Sequence, residues 1–185
     1  MSSWPFHHRD TAVRQERQRL RQAHVLGSCF HTISPLGKFP VIIEEKTERS
    51  EALLGTLLPV WESSVAATHD FLSNQDIIML RPAVLDGLRK IPVLLVAEEN
   101  GNPVGFLGMD GDKVEMLFVD AENRGMGTGG ALLREALFRG ARRVDVNEQN
   151  PQAVGFYLHM GFAVAGRSKT DALGLPFPIL HMRLV

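Results

Sequence analysis

The sequence predicts a mixed α/β fold, a mostly antiparallel twisted sheet of about seven strands flanked by about four helices. Three features carry that expectation. Asn100-Gly101 and Asp110-Gly111 are turn dipeptides that link three short apolar stretches into tight antiparallel hairpins. Ahead of them, two segments repeat apolar residues at helical spacing. Behind them, a strand, a Gly-rich loop, a helix, a strand and a further helix follow in turn, an order that puts helices on the faces of a mixed sheet.

Taken in order, Val41-Ile42-Ile43-Glu44-Glu45 reads as a first strand. From Glu48 to about Val65, the spacing of Leu53, Leu54, Leu57, Leu58 and Trp61 predicts a helix. The segment Thr68 to Asn74 interrupts it, and a second helix follows through Ile77, Ile78, Leu80, Val84, Leu85 and Leu88, with Pro82 as a point of bending. Strands are expected over 93–98, 104–109 and 113–119, a helix over 126–140, a strand over 143–147 and a helix over 151–160. Two last strands, 162–169 and 177–185, close the chain.

Residues 1–40 differ from this pattern and form an N-terminal extension to a domain over 41–185. They hold six basic residues against two acidic ones, and Arg14 to Gln22 has good helix formers without an apolar stripe to bury. A disordered or weakly helical tail is expected. An Arg-rich transit peptide and a start near Val41 are the alternatives, whereas a secretory signal is not, because no apolar region follows the arginines.

The whole chain carries 44% apolar and 22% charged residues and a net charge of -1. That balance gives no footprint for nucleic acid, and no apolar run approaches a membrane span. The single cysteine, Cys29, excludes an internal disulfide framework and suits a reducing compartment, so a cytoplasmic globular protein, monomer or homodimer, is expected. The histidines lack metal-ligand spacing, and no Gly-x-Ser-x-Gly or Cys/His motif points to a covalent acyl-enzyme. No metal is expected.

The first chemical signal is Arg124-Gly125-Met126-Gly127-Thr128-Gly129-Gly130, placed between a strand and a helix. Glycines there let the backbone approach a ligand, and the free N–H groups of the first helical turn favour phosphate oxygens. A Walker A loop would need Gly-Lys-Ser/Thr, which is missing. A dinucleotide fingerprint fits Gly125, Gly127 and Gly130 literally, with Asp145 beyond, but four residues separate strand from glycines and too little chain follows. The remaining reading is Arg-x-x-Gly-x-Gly.

That motif resembles the pyrophosphate loop of the GNAT N-acetyltransferases. A second block, Val144 to Phe162, resembles the fifth strand and fourth helix of the same superfamily, with the spacing Asn150-x-x-Ala153-x-x-Phe156-Tyr157-x-x-x-Gly161-Phe162. The resemblance spans about residues 41–185 and is close to YjaB-type bacterial acetyltransferases through Ala67 to Ser73 and Gly166 to Pro178. It implies a GNAT fold and an acetyl-CoA-dependent N-acetyltransferase that transfers directly to a primary amine. Protein lysine is the acceptor implied, with a small-molecule amine (polyamine, amino acid or aminoglycoside) as the alternative. A non-catalytic acyl-CoA sensor is the reading from another class.

The residues make chemical sense in these roles. Asn150 is a favoured N-cap and Pro151 suits the first helical position. Tyr157, the single tyrosine, lies two turns on and shares Asn150's face. By resemblance Tyr157 is the general acid that protonates the departing thiolate; otherwise it is a half-buried packing tyrosine. Main-chain groups of Leu117, Phe118 and Val119 are, by resemblance, the partners of the pantetheine arm and the thioester carbonyl. Residues 124–130 and Asn150 complete the coenzyme site. Glu115 is expected to alternate onto the face of Leu117 and Val119, where apolar neighbours would raise its pKa and suit it as a base; the alternative is a solvated strand end. His69 is the rival base, with Asp70 and Phe71 bordering the acceptor, and Arg167 and Asp171 could bind a charged acceptor.

Overall fold

The computed structural model describes residues 41–68, 73–171 and 174–185. The tail over 1–40 and the candidates His69, Asp70 and Phe71 lie outside the described residues.

Seven strands form one sheet in the order β1-β2-β3-β4-β5-β7-β6. They are β1 (Ile42–Glu45), β2 (Val93–Glu99), β3 (Asn102–Asp110), β4 (Lys113–Val119), β5 (Arg143–Asn147), β6 (Phe162–Ser168) and β7 (Ile179–Leu184). Every neighbouring pair is antiparallel except β4–β5. Four α-helices accompany them among the described residues: α1 (Glu51–Ala66), α2 (Asn74–Lys90), α3 (Thr128–Phe138) and α4 (Pro151–His159). The mixed sheet and the helices on its faces are as the sequence predicts.

Capping chemistry sets the helix starts. Ser50 accepts from the Leu53 N–H at 3.2 Å, so α1 begins at Glu51 and not at Glu48. Ser73 and Asp76 form a reciprocal capping box, which recruits Asn74 into α2 where the sequence reading left it in the interruption. Gly127 holds φ at 89°, a left-handed conformation natural to glycine, and this delays α3 to Thr128. Asn150 accepts from the Ala153 N–H at 3.0 Å and Pro151 takes the first helical position, as expected.

The sheet is apolar on both sides. Leu94, Val96 and Phe106 point to one face, against Leu54, Leu57 and Trp61 of α1 and Leu88 of α2. Leu95, Leu107, Val144 and Met182 point to the other, against Leu132, Leu133 and Ala136 of α3 and Tyr157 of α4. The alternation within β2, Leu94 and Val96 against Leu95 and Ala97, is the period of a strand buried on both faces. Ile78 and Leu80, counted in the apolar spacing of α2, are exposed.

The feature that matters for the site is a parting of strands. β4 and β5 pair only at Lys113–Arg143 and Val114–Val144. The Asp112 carboxylate, gripped by the Arg143 guanidinium at 2.9 Å, pins the closed end. Beyond Val114 the two strands diverge. β4 keeps its antiparallel partner β3 on one edge, so alternate backbone groups on its other edge face the gap.

Candidate active site

A cavity of about 410 Å³ opens where the parted strands meet α3 and α4. Its walls come from Leu117, Phe118 and Val119 of β4, the loop residues Arg124, Gly125 and Gly127, Gly129 and Gly130 of α3, and Asn150, Phe156 and Tyr157 of α4. Most of the sequence-predicted coenzyme residues thus converge on one space. Met126 and Thr128 do not line it; Thr128 is buried instead. Ser64 and Thr68, at the end of α1, also line it.

The loop is built for an anion. No side chain caps α3, so the N–H groups of its first turn have no partner within the helix. A Cβ at Gly129 would stand 3.6 Å from Val119 and 3.7 Å from Phe156, so a larger side chain there would fill the approach to those donors. Arg124 donates to the Gln152 side chain at 2.7 Å, across the loop from α4. The lining side chains include Arg124, Arg134 and His159 and, among the described residues, no Asp or Glu. In a chain with more acidic than basic residues, that segregation points to a polyanionic ligand.

Tyr157 sits at the seam between this cavity and the β4–β5 gap, and lines both. Its ring stacks edge-on against Phe156 at 5.1 Å and Phe162 at 5.6 Å. Burial pushes its phenol well above the ordinary value, so it remains a proton donor. Among the described residues the hydroxyl makes no hydrogen bond, which leaves it available to a ligand.

Glu115 requires a correction. It does not share a face with Leu117 and Val119. β4 carries a bulge here: Gly108 pairs with Met116 and Met109 with Val114, so Glu115 is the extra residue. The bulge shifts the alternation by one, and Val114 takes the buried position in the cluster with Leu117 and Val119. Glu115 is exposed at the lip of the gap, its carboxylate 3.0 Å from Lys113 Nζ. The apolar surroundings expected of Glu115 are therefore absent.

The sequence reading missed the group around Glu115. Lys113 Nζ lies between Glu115 and Asp145, at 3.0 and 2.9 Å. Asp145 also meets His181 Nδ1 at 2.7 Å, and His181 Nε2 meets Ser168 Oγ at 2.8 Å. Burial opposes it, but hydrogen bonds donated to Asp145 and Glu115 raise the Lys113 pKa; burial likewise opposes the change at Asp145, whose pKa the hydrogen bonds with His181 and Lys113 lower. Glu115, Asp145, Asn147, Asn150 and Tyr157 all line the gap. Lys113-x-Glu115 in one strand was a readable signal; the approach of Asp145 from β5 was not.

Arg167 and Asp171 are not brought to the cavity or the gap. Arg167 is held by Glu148 at 2.6 and 3.0 Å, and Asp171 accepts from the Leu175 N–H at 2.9 Å. Among the described residues no helix is long and apolar enough to cross a membrane.

An uncapped helix start, an open strand edge beside it and a buried phenol at their junction fit the transferase site that the sequence resemblance implies. Comparison with known proteins makes this specific. The family model described as acetyltransferase (GNAT) domain matches residues 91–164. The peptidyl-lysine N-acetyltransferase YjaB of Salmonella typhimurium is 44% identical over 127 residues, 68% of this chain and 88% of that protein. Its Escherichia coli namesake is 42% identical over 130 residues, 70% and 88%. The solution structure of apo YjaB from Escherichia coli superposes with a TM-score of 0.70 at 40% identity, covering 78% of this chain and 97% of that one. The PaiA N-acetyltransferase of Thermoplasma acidophilum, solved with coenzyme A, shares the fold at TM-score 0.58 and 22% identity, over 77% and 99% of the two chains. The chain belongs to the GNAT acetyltransferase family. It is an N-acetyltransferase that draws its acetyl group from acetyl-CoA and delivers it to an amine.

Proposed function

We propose that the acceptor is the side-chain amine of lysine in protein, and that transfer is direct, in one cleft. The acceptor class is supported by the two relatives named as peptidyl-lysine N-acetyltransferases, each more than 40% identical. The observation that carries the site assignment is the placement of Tyr157 on both the carboxylate-free cavity and the β4–β5 gap.

In this reading the free N–H groups at residues 127–130, with Arg124, hold the pyrophosphate. The open edge of β4 over Leu117, Phe118 and Val119 receives the pantetheine arm and donates to the thioester carbonyl as its oxygen gains charge. Asn150 and Ala153 keep the start of α4 narrow beside that arm. Glu115 at the lip of the gap takes the proton of the attacking amine, by way of water, and Lys113 fixes the carboxylate's position. Attack forms the new C–N bond, collapse breaks the C–S bond, and the Tyr157 hydroxyl gives its proton to the departing sulfur.

The test is thiol release from acetyl-CoA against lysine peptides, polyamines, amino acids and aminoglycosides. Turnover confined to lysine peptides supports the proposal. Turnover with a small amine and none with peptides would replace the acceptor, and coenzyme A binding without release for any amine would favour a sensor.

A further inference from the structure

Five arginines of the domain hold carboxylates: Arg81 to Glu62, Arg89 to Glu51, Arg139 to Glu135, Arg143 to Asp112 and Arg167 to Glu148. Arg134 differs. It lines the cavity, makes no hydrogen bond or ion pair among the described residues, and has no Asp or Glu beside it in the lining. Its position is also electrostatically adverse. Helical side chains lean toward the N-terminus, and a Cβ at Gly130 would come within 3.2 Å of Arg134 Nη1, so the guanidinium lies back over the first turn of α3. A cation beside the positive end of a helix dipole is disfavoured unless an anion joins them.

The lining separates into an inner and an outer part. Leu117, Phe118 and Tyr157 also line the β4–β5 gap and belong to the inner end. Arg134 and His159 do not, and both are exposed, so they lie away from the inner end. The loop donors at 127–130 and Arg124 already account for the pyrophosphate. Coenzyme A carries one more dianionic group, the phosphate on its ribose, at the end of the molecule remote from the thiol. We propose that Arg134, which shares the cavity lining with His159, forms the subsite for that 3′-phosphate and makes the protein discriminate against coenzyme A lacking it. This inference rests on the reading of the cavity as the acetyl-CoA site.

Calorimetric binding of coenzyme A and of 3′-dephospho-coenzyme A to the full chain tests it. The intact protein is expected to bind coenzyme A at least about tenfold more tightly, the scale of one charge-assisted contact. Arg134→Ala should erase most of that ratio by weakening coenzyme A alone, and Arg134→Lys should restore part of it. The KM ratio for the two acetylated donors should follow. Equal weakening of both nucleotides in Arg134→Ala would place Arg134 on the pyrophosphate and overturn the proposal. So would an unchanged ratio. Failure of the intact protein to bind either nucleotide would overturn the acetyl-CoA site itself, which is a different result.

Discussion

The two walls of the cleft handle charge in opposite ways. On the α3–α4 side, Arg124, Arg134 and His159 gather without a carboxylate among the lining residues. On the β4–β5 side, Glu115 and Asp145 share Lys113, and Asp145 passes on to His181 and Ser168. The cations of the first wall have no carboxylate partner in its lining, whereas those of the second are matched by their own neighbours. Unmatched charge marks where a fixed polyanion belongs. Matched charge on an exposed strand marks a group that can hold one carboxylate in place while substrate comes and goes.

Disturbing the first wall should have the larger effect on binding. Gly129→Val puts methyl groups against Val119 and Phe156, over the first-turn donors. Methyl groups standing over those donors obstruct the approach of an anion, so coenzyme A affinity measured by calorimetry should fall by about tenfold or more, roughly 1.4 kcal/mol. Melting temperature should move little by comparison. On the other wall, Glu115→Gln is expected to lower kcat by about tenfold or more while the KM for acetyl-CoA holds. Steady-state kinetics with a lysine peptide separate the two parameters. An unchanged kcat would return Glu115 to a merely solvated strand end.

The pH dependence sharpens the contrast. In the proposed mechanism Tyr157 acts in its protonated form, and burial raises its pKa above that of a free phenol, about 10. The rate at saturating substrate should therefore stay level as pH rises through 10, where an exposed tyrosine would be half ionised. A descending limb there that is absent from Tyr157→Phe would contradict the burial argument. The smallest effect belongs to Asp145. Its folded pKa is depressed, so its contribution is present above the unfolded value of about 3.9 and is lost as pH falls through the folded one. Asp145→Asn should flatten the acid end of the stability curve below about pH 4. With 37% of its side chain exposed, the change should stay under about 1 kcal/mol in urea titrations.

How far this was legible in the sequence depended on whether the signal was local. The glycine loop, the Asn150 cap and the Asn150–Tyr157 spacing are contiguous, and the cap, Tyr157 and the loop residues Arg124, Gly125, Gly127, Gly129 and Gly130 meet at one cavity. The hairpin turns were legible for the same reason: Asn100 and Gly101 hold φ at 53° and 77°, a conformation their residue types favour. Glu115 was misplaced because a strand's alternation is read on the assumption of unbroken register, and one bulged residue re-phases it. Asp145, His181 and Ser168 come together through the pairing of β5, β7 and β6, which nothing in the one-dimensional pattern reports. Arg134 carries no signal in the sequence that singles it out. Its meaning lies in the absence of carboxylates around it, a property of the assembled cavity.

The central claim is that the buried phenol at the junction of the two walls donates the proton to the leaving thiolate. Single-turnover transfer from acetyl-CoA to a lysine peptide, compared between the intact protein and Tyr157→Phe, tests it most directly. The ring contacts with Phe156 and Phe162 survive this change, so coenzyme A affinity should be retained. The account predicts a transfer rate lower by about 10²-fold or more. A variant that transfers acetyl at the rate of the intact protein would contradict it.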